Sequence, residues 1–294
     1  GGQDYFAVTY ADDGVRMQVG NKTPINRWSG SAGTYDRGIV TGLSNGDHIV
    51  KLDYYDNINH AILFADIVPL GDWYAYYYAN ETLKGHPVDA KVIPAQKDGA
   101  LYQDFGYGSP SAKISQDSFS AKYITAKRMN AGKYVLRAAA DDGIRVYIDG
   151  QLVLDRWTKT SYREDAVVVD IKDNPDTGNI HWIEVEYFEN KANAKVNVSF
   201  EPYNKSNLVT TDSWYVEYFN NRNLEGTPAV IVGGKNSINK IKEINFDWDL
   251  GSPHEFVQND QFSARFEKYV NLSSNKKYLV SVEADNAFRL YVNG

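Results

Sequence analysis

The sequence predicts an all-β protein: tandem antiparallel β-sandwich or barrel domains, one complete and two partial. Three observations predict it. The 294-residue chain holds 22 Tyr, 12 Phe and 6 Trp against 2 Met, a bias toward side chains that suit pleated, half-buried surfaces. Its apolar residues alternate in short runs broken by Gly, Asn and Asp, and no segment keeps a 3.6-residue period over three turns. Finally, blocks of sequence recur in one order along the chain, as they do in tandem arrays.

The strands follow from the alternation. Val50, Leu52 and Tyr54 alternate with Lys51 and Asp53, and Ile183, Val185 and Tyr187 alternate with Glu184 and Glu186; period two with one apolar face is a half-buried strand. Ile144, Val146 and Ile148 do the same, Asp149-Gly150 supplies a hairpin turn, and Leu152 and Leu154 resume the pattern. Asp-Gly between alternating runs favours a hairpin because both turn residues need positive φ.

The repeats set the domain boundaries. Trp73-Tyr74-Ala75-Tyr76-Tyr77-Tyr78-Ala79-Asn80 matches Trp214-Tyr215-Val216-Glu217-Tyr218-Phe219-Asn220-Asn221. Gly108-Ser109-Pro110 returns at Gly251-Ser252-Pro253, and Asp117-Ser118-Phe119-Ser120-Ala121 at Asp260-Gln261-Phe262-Ser263-Ala264. An acidic turn occurs three times, as Ala11-Asp12-Asp13-Gly14, Ala140-Asp141-Asp142-Gly143 and Ala284-Asp285-Asn286-Ala287, and the stretch His48 to Asn57 matches His181 to Asn190. Residues 71–203 carry the whole set and form the complete domain. Residues 1–70 carry the second half of a copy and residues 212–294 the first half, with a short polar linker at 204–211. The chain opens Gly1-Gly2-Gln3 without an initiator Met, which reads as a window cut from a longer array.

Composition narrows the chemistry. A net charge of −7 argues against nucleic acid, whose binders need a basic patch that releases counterions. No window reaches the roughly 18 apolar residues of a spanning helix, so membrane insertion is not expected. The absence of Cys removes disulfides, thiol catalysis and thiolate zinc sites. The five histidines, His48, His60, His86, His181 and His254, are scattered and form no metalloprotease helix motif; His48 and His181 align at a strand start and read as structural. Asp247-Trp248-Asp249 offers two carboxylates, but the aligned Asp104-Phe105-Gly106 lacks the second. No catalytic residues are assigned, and the protein is read as a non-enzyme.

The ordered motifs resemble the protective-antigen domain family (PA-fourteen): the opening Trp-Tyr-x-x-Tyr-Phe-Asn-Asn with Leu224-Glu225-Gly226-Thr227-Pro228, the Gly-Ser-Pro followed by Asp-x-Phe-Ser-Ala, and the run from Ala140 through Asp141-Asp142-Gly143 to Asp155-Arg156-Trp157. The resemblance covers nearly the whole chain. It implies a β-sandwich found in bacterial toxins, glycosidases, wall hydrolases and adhesins. In the lectin members of that family, two adjacent aspartates joined by a cis peptide hold a calcium ion that also binds sugar hydroxyls, and an Asn of a later loop completes the site.

Carried onto this chain, the resemblance makes Asp141 with Asp142, and Asp12 with Asp13, the candidate calcium ligands. Asn190 and Asn193 are the later-loop candidates of the complete copy, Asn57 and Asn59 those of the first. Calcium takes six to eight oxygens, which suits clustered carboxylates; Asp-Asp-Gly is also an ordinary turn sequence. The third copy keeps one carboxylate, at Asp285. Trp28 and Trp157 recur in step with the acidic turns, either as platforms for sugar faces or as packing residues, and Asp155-Arg156 is expected to form an ion pair. The expected function is a non-catalytic, extracellular carbohydrate-binding or adhesion module, secreted or on a bacterial surface, with glycan or cell-wall polysaccharide as partner and calcium as cofactor. The alternatives are spacer repeats of a surface protein or the targeting segment of a wall hydrolase. The partial domains are expected to pair with each other, within or between chains.

Overall fold

The computed structural model describes residues 2–58 and 60–293. Its strands, in chain order, are β1 (Tyr5–Asp12), β2 (Gly14–Val19), β3 (Lys22–Arg27), β4 (Thr34–Val40), β5 (Val50–Tyr55), β6 (Ile62–Pro69), β7 (Trp73–Tyr78), β8 (Asp89–Ile93), β9 (Leu101–Gly106), β10 (Phe119–Arg128), β11 (Gly132–Asp141), β12 (Gly143–Ile148), β13 (Gln151–Arg156), β14 (Arg163–Ile171), β15 (Ile180–Glu189), β16 (Ala194–Pro202), β17 (Tyr215–Phe219), β18 (Val230–Gly233) and β19 (Ser263–Glu267). The protein is all-β, and its sheets are antiparallel.

Two sheets enclose the core of residues 71–203. One is six-stranded, in the order β13-β12-β15-β10-β7-β8; the other contains β14-β11-β16-β9. Between them lie Trp73, Tyr77, Phe119, Tyr123, Leu136, Ile144, Val146, Ile183, Val185 and Tyr187, all buried. The hairpin β12–β13 turns at Asp149 and Gly150, whose φ values are 49° and 80°, as the Asp-Gly turn requires. The alternation after that turn does not run straight on. A bulge lets Val146 face Leu154 while Tyr147 faces Leu152, and an extra residue in one strand reverses the face of the residues beyond it. Leu152 is thereby 48% exposed while Leu154 is buried.

Residues 1–70 form two three-stranded sheets, β4-β1-β6 and β3-β2-β5, around Ala7, Ala11, Val15, Met17 and Ile25. Its β5 carries the predicted alternation, yet Val50 and Leu52 are exposed. The equivalent β15 lies between β12 and β10, whereas β5 has only β2 beside it, so one more neighbour is what buries this pattern.

The strands of residues 2–70 and those after residue 211 do not share a sheet; each set meets the central unit. The outer face of β1 and β6 (Phe6, Val8, Tyr10, Val68) packs on Tyr74, Tyr76, Tyr78 and Ile124 of the six-stranded sheet. All six side chains of β7 are therefore buried: Trp73, Ala75 and Tyr77 face the central core, and the three intervening tyrosines face the first unit. This position accounts for a strand with no polar face. On the opposite side, β18 pairs with β14 through Ala166 and Ile231, so β19-β17-β18 lengthen the second sheet to seven strands. Buried Glu164 seals that contact, accepting hydrogen bonds from Arg137 at 3.2 Å and from the Ser237 hydroxyl at 2.6 Å. No strand follows Glu267 among the described residues, and Leu279, Leu290 and Tyr291 are exposed.

Replacing Tyr76, buried on the seam between the first unit and the central sheet, with Ala is expected to destabilise the protein by about 3–5 kcal/mol. Denaturant unfolding reads the loss, and residues 1–70 should become the segment cleaved first in limited proteolysis. Unchanged stability and cleavage would show that the seam contributes nothing.

Candidate functional site

The acidic turns lie where the chain passes from one sheet of a sandwich to the other, at β1–β2 and at β11–β12. In both turns the bond between the aspartates is cis. Three loops meet there: the turn itself, the β3–β4 or β13–β14 loop, and the loop after β5 or β15.

An arginine organises each meeting, buried in the central unit and half-buried in the first. Arg156 and Asp165 are both fully buried and pair at 2.5 Å. The same guanidinium donates to the carbonyls of Asp142 at 2.8 Å and Ala140 at 3.3 Å, holding the turn from beneath. Arg27 repeats the arrangement, pairing with Asp36 at 2.9 Å and donating to the carbonyls of Asp13 at 2.7 Å and Ala11 at 3.3 Å. The expected Asp155–Arg156 pair is not formed: adjacent strand residues point to opposite faces, so Arg156 turns inward to Asp165 while Asp155 meets Arg145 at 2.9 Å outside. Burial alone would raise the Asp165 carboxyl, but His254, Arg156 and Arg163 together hold it below its ordinary value.

The two aspartates of each pair are used differently. Asp142 accepts backbone N–H groups from Thr160 at 2.8 Å and Asn190 at 2.8 Å. Asp13 accepts those of Ser31 at 3.0 Å and Asn57 at 2.7 Å. Each of these carboxylates thus ties the two other loops to the turn. The carbonyl of the first aspartate is held by a tyrosine hydroxyl, Tyr187 on Asp141 and Tyr54 on Asp12, both at 2.5 Å. The glycine after each pair is required by close approach. A Cβ at Gly143 would lie 2.1 Å from the Phe188 ring, and one at Gly14 2.1 Å from the Tyr55 ring.

In the central unit the carboxylates of Asp141, Asp142 and Glu189 each offer an oxygen within 4.8 Å of the others. Glu189 is fully buried at the end of β15, and its Oε1 has no hydrogen-bond partner. Burial first, then the charges of Asp142 and Asp141, push the Glu189 carboxyl up to about 8; burial and Asp142 raise Asp141 as well. Asn190 brings its backbone to Asp142, but its side-chain amide donates to Glu81 at 2.7 Å. Ser118 and Lys159 also meet Glu81. Asn193 is exposed on the same loop, as is Asn57 in the first unit, while Asn59 lies outside the described residues. Trp157 is half-buried, edge-on to Phe188 at 4.8 Å, with Arg145 4.6 Å over its ring. Trp28 repeats this with Tyr55 and Arg16.

The first unit differs around its first aspartate. Asp56 stands where Glu189 stands in the second, and it is exposed. Asp12 instead lies with His60 and His86, one ligand atom from each within 4.8 Å. The histidines that read as scattered are thus partly gathered, because His86 comes from the β7–β8 loop of the next unit. His48 and His181 are held locally, by the Ser44 carbonyl at 2.8 Å and by Asp149 at 2.7 Å. Asp247 accepts the Asp249 N–H at 3.0 Å as a local turn. The sequence pairs Arg156 with Asp155 and gives no role at the site to Arg27, Tyr54, Tyr187 or Glu189; the recurrence of Arg27 as Arg156 and of Tyr54 as Tyr187 was the available signal, and Glu189, aligned with Asp56, had none as clear.

The model of the PA14 domain family matches residues 71–214 and 211–294. The chain is 21% identical over 211 residues to the anti-sigma-I factor RsgI3 of Acetivibrio thermocellus, an alignment covering 63% of this chain and 31% of that protein; the chain thus spans about a third of that relative's length. Among solved structures, it resembles an anti-sigma factor domain-containing protein from Clostridium clariflavum (21% identity, 68% of this chain and 75% of that one, TM-score 0.37). It also resembles the PA14 sugar-binding domain of an RTX adhesin (16% identity, 45% and 90%, TM-score 0.32).

Two measurements check this site. Arg156→Ala leaves buried Asp165 without its closest partner and is expected to lower stability by about 3–5 kcal/mol; an unchanged unfolding midpoint would remove Arg156 from its central place. The second concerns pH. A carboxyl raised in the folded state contributes stability that is complete below its unfolded value, near 4.3, and is lost as pH rises through about 8. With chelator present, stability should therefore decline from pH 5 to pH 8 by up to a few kcal/mol, and Glu189→Gln should flatten the decline. A slope the same in both proteins would place the titrating group elsewhere.

Proposed function

The chain belongs to the PA14 domain family, and from that premise we propose that it is a non-catalytic, extracellular glycan-binding module whose ligand is held through calcium at Asp141, Asp142 and Glu189. The observation that carries the proposal is the gathering of three carboxylates, one with a buried oxygen lacking any partner. An all-oxygen, anionic donor set suits calcium, and a cation would offset the burial and the like-charge repulsion that together raise Glu189. Calcium would supply a point of coordination for vicinal sugar hydroxyls. The protein's part is to hold the donors still: Asp142 bolts the loops, Arg156 and Tyr187 fix the turn's carbonyls, and Glu81 orients Asn190. Asn193 and the free edge of Trp157 border the same loops and are proposed as sugar contacts.

The donors around Asp12 and Asp13 differ, so the calcium proposal is made for the central unit. Source and place are proposed as a bacterial surface or secretion. Among the described residues no helix is long and apolar enough to cross a membrane. The likeness to part of an anti-sigma-I factor supports a second use of the same site, with glycan occupancy as the input to an anti-sigma protein. Spacer repeats without a ligand remain the rival reading.

Calorimetric titration with calcium, followed by a glycan array with and without chelator, tests the proposal. Asp141→Asn should weaken calcium binding at least tenfold and abolish chelator-sensitive glycan binding, with little change in unfolding temperature. Glycan binding that survives both chelator and Asp141→Asn would move the site elsewhere, and no calcium or glycan signal at all would favour the spacer.

A further inference from the structure

The acidic turn of the first unit is built on the same frame as that of the second but presents other chemistry. Asp12 is buried, and its carboxylate makes no hydrogen bond to a described residue, because Asp13 takes the loop N–H groups and Tyr54 takes the Asp12 carbonyl. Facing it are two imidazoles. His60 lies in the loop after β5, at the position that Asn193 occupies in the second unit, and it is exposed. His86 comes from the β7–β8 loop of the second unit, and its Nδ1 meets the Tyr10 hydroxyl at 2.9 Å. The two rings lie 5.0 Å apart between centroids, tilted by 41°, and one ligand atom from each histidine and from Asp12 falls within 4.8 Å of the others.

We infer that Asp12, His60 and His86 form a binding site for a late first-row divalent cation, with zinc as the representative ion. The reason is the donor type. Imidazole nitrogens suit zinc, copper and nickel, whereas calcium takes oxygen donors. Two histidines and one carboxylate are a recurrent zinc set that leaves a fourth position for water or another ligand. Donors around a tetrahedral zinc sit about 3.4 Å apart, from bond lengths near 2.1 Å, so a modest closure suffices, and His60 is exposed and free to make it. The Tyr10 hydroxyl can donate or accept, so it can hold His86 in whichever tautomer the ion demands, as the outer partners of metal-bound histidines do. Because two donors belong to residues 1–70 and the third to the next unit, the ion would clamp the seam between them. The inference does not rest on the calcium proposal, since the two sites share no residue.

The test uses the full chain stripped of metal with chelator and titrated calorimetrically with zinc or calcium, with cobalt as a visible-absorption probe. The expected result is one zinc site, weakened at least tenfold in His60→Ala and in His86→Ala and unchanged in His48→Ala and Asp141→Asn. Cobalt should show nitrogen-coordinated absorption that zinc bleaches, and zinc should slow proteolysis at residues 1–70. Asp12→Asn should also weaken zinc; if that variant does not fold, the two loop histidine variants decide alone. Zinc binding unaltered in either variant, or calcium displacing zinc at equal concentration, would overturn the inference. Loss of calcium binding in Asp141→Asn with zinc binding intact separates the failure of one site from the failure of the other.

Discussion

One arginine–aspartate pair, fully buried in the central unit and half-buried in the first, is the constraint on which each sandwich depends. A guanidinium out of water needs nearly all its donors used. Arg156 meets that need by binding Asp165 on one side and the carbonyls of Ala140 and Asp142 on the other. The turn that carries the chain from one sheet to the next is thereby fixed to the opposite strand. Arg27 does the same with Asp36, Ala11 and Asp13, at distances that agree within a few tenths of an ångström. Duplication has preserved a geometry as well as a sequence.

With the frame held, the functional variation is confined to a few side chains at its rim. The second aspartate of each pair is spent on loop N–H groups, which leaves the first as the group that faces outward chemistry. In the central unit its neighbour is Glu189, raised first by burial and then by like charge; in the first unit its neighbours are two histidines. Carboxylates alone stand beside one turn and two imidazoles with a carboxylate beside the other, and it is this difference in donor type that the two proposed sites rest on. The third copy, with Asn286 and Ala287 after Asp285, keeps neither the second carboxylate nor the glycine.

The units are joined by different means at the two seams. Toward the first unit, the contact is aromatic and apolar: Tyr74, Tyr76 and Tyr78 lie against Phe6, Val8 and Tyr10. Toward the third, β18 extends the sheet from β14, and a polar network of Arg137, Glu164, Ser237 and His254 surrounds the join. The β7–β8 loop serves two sites at once, with Glu81 reaching the Asn190 loop of its own unit and His86 reaching Asp12 of the preceding one.

Much of this was legible in the chain. Period-two alternation, the Asp149-Gly150 turn and the recurring acidic motif are local, and local sterics are the same wherever the residues end up; they determined the strands, the hairpin and the two candidate turns. The partners of those turns were decided by tertiary structure. Arg156 looked like the neighbour of Asp155 until the pleat sent them to opposite faces, and Leu152 looked like a core residue until a bulge turned it outward. His60 and His86 looked unrelated because 26 residues of chain and a domain seam separate them. Glu189 reads as one more charge on a strand, and only the packing of three loops around it gives its carboxyl two acidic neighbours and no solvent. Long-range juxtaposition is set by how sheets stack and how units abut, and no spacing along the chain encodes that directly.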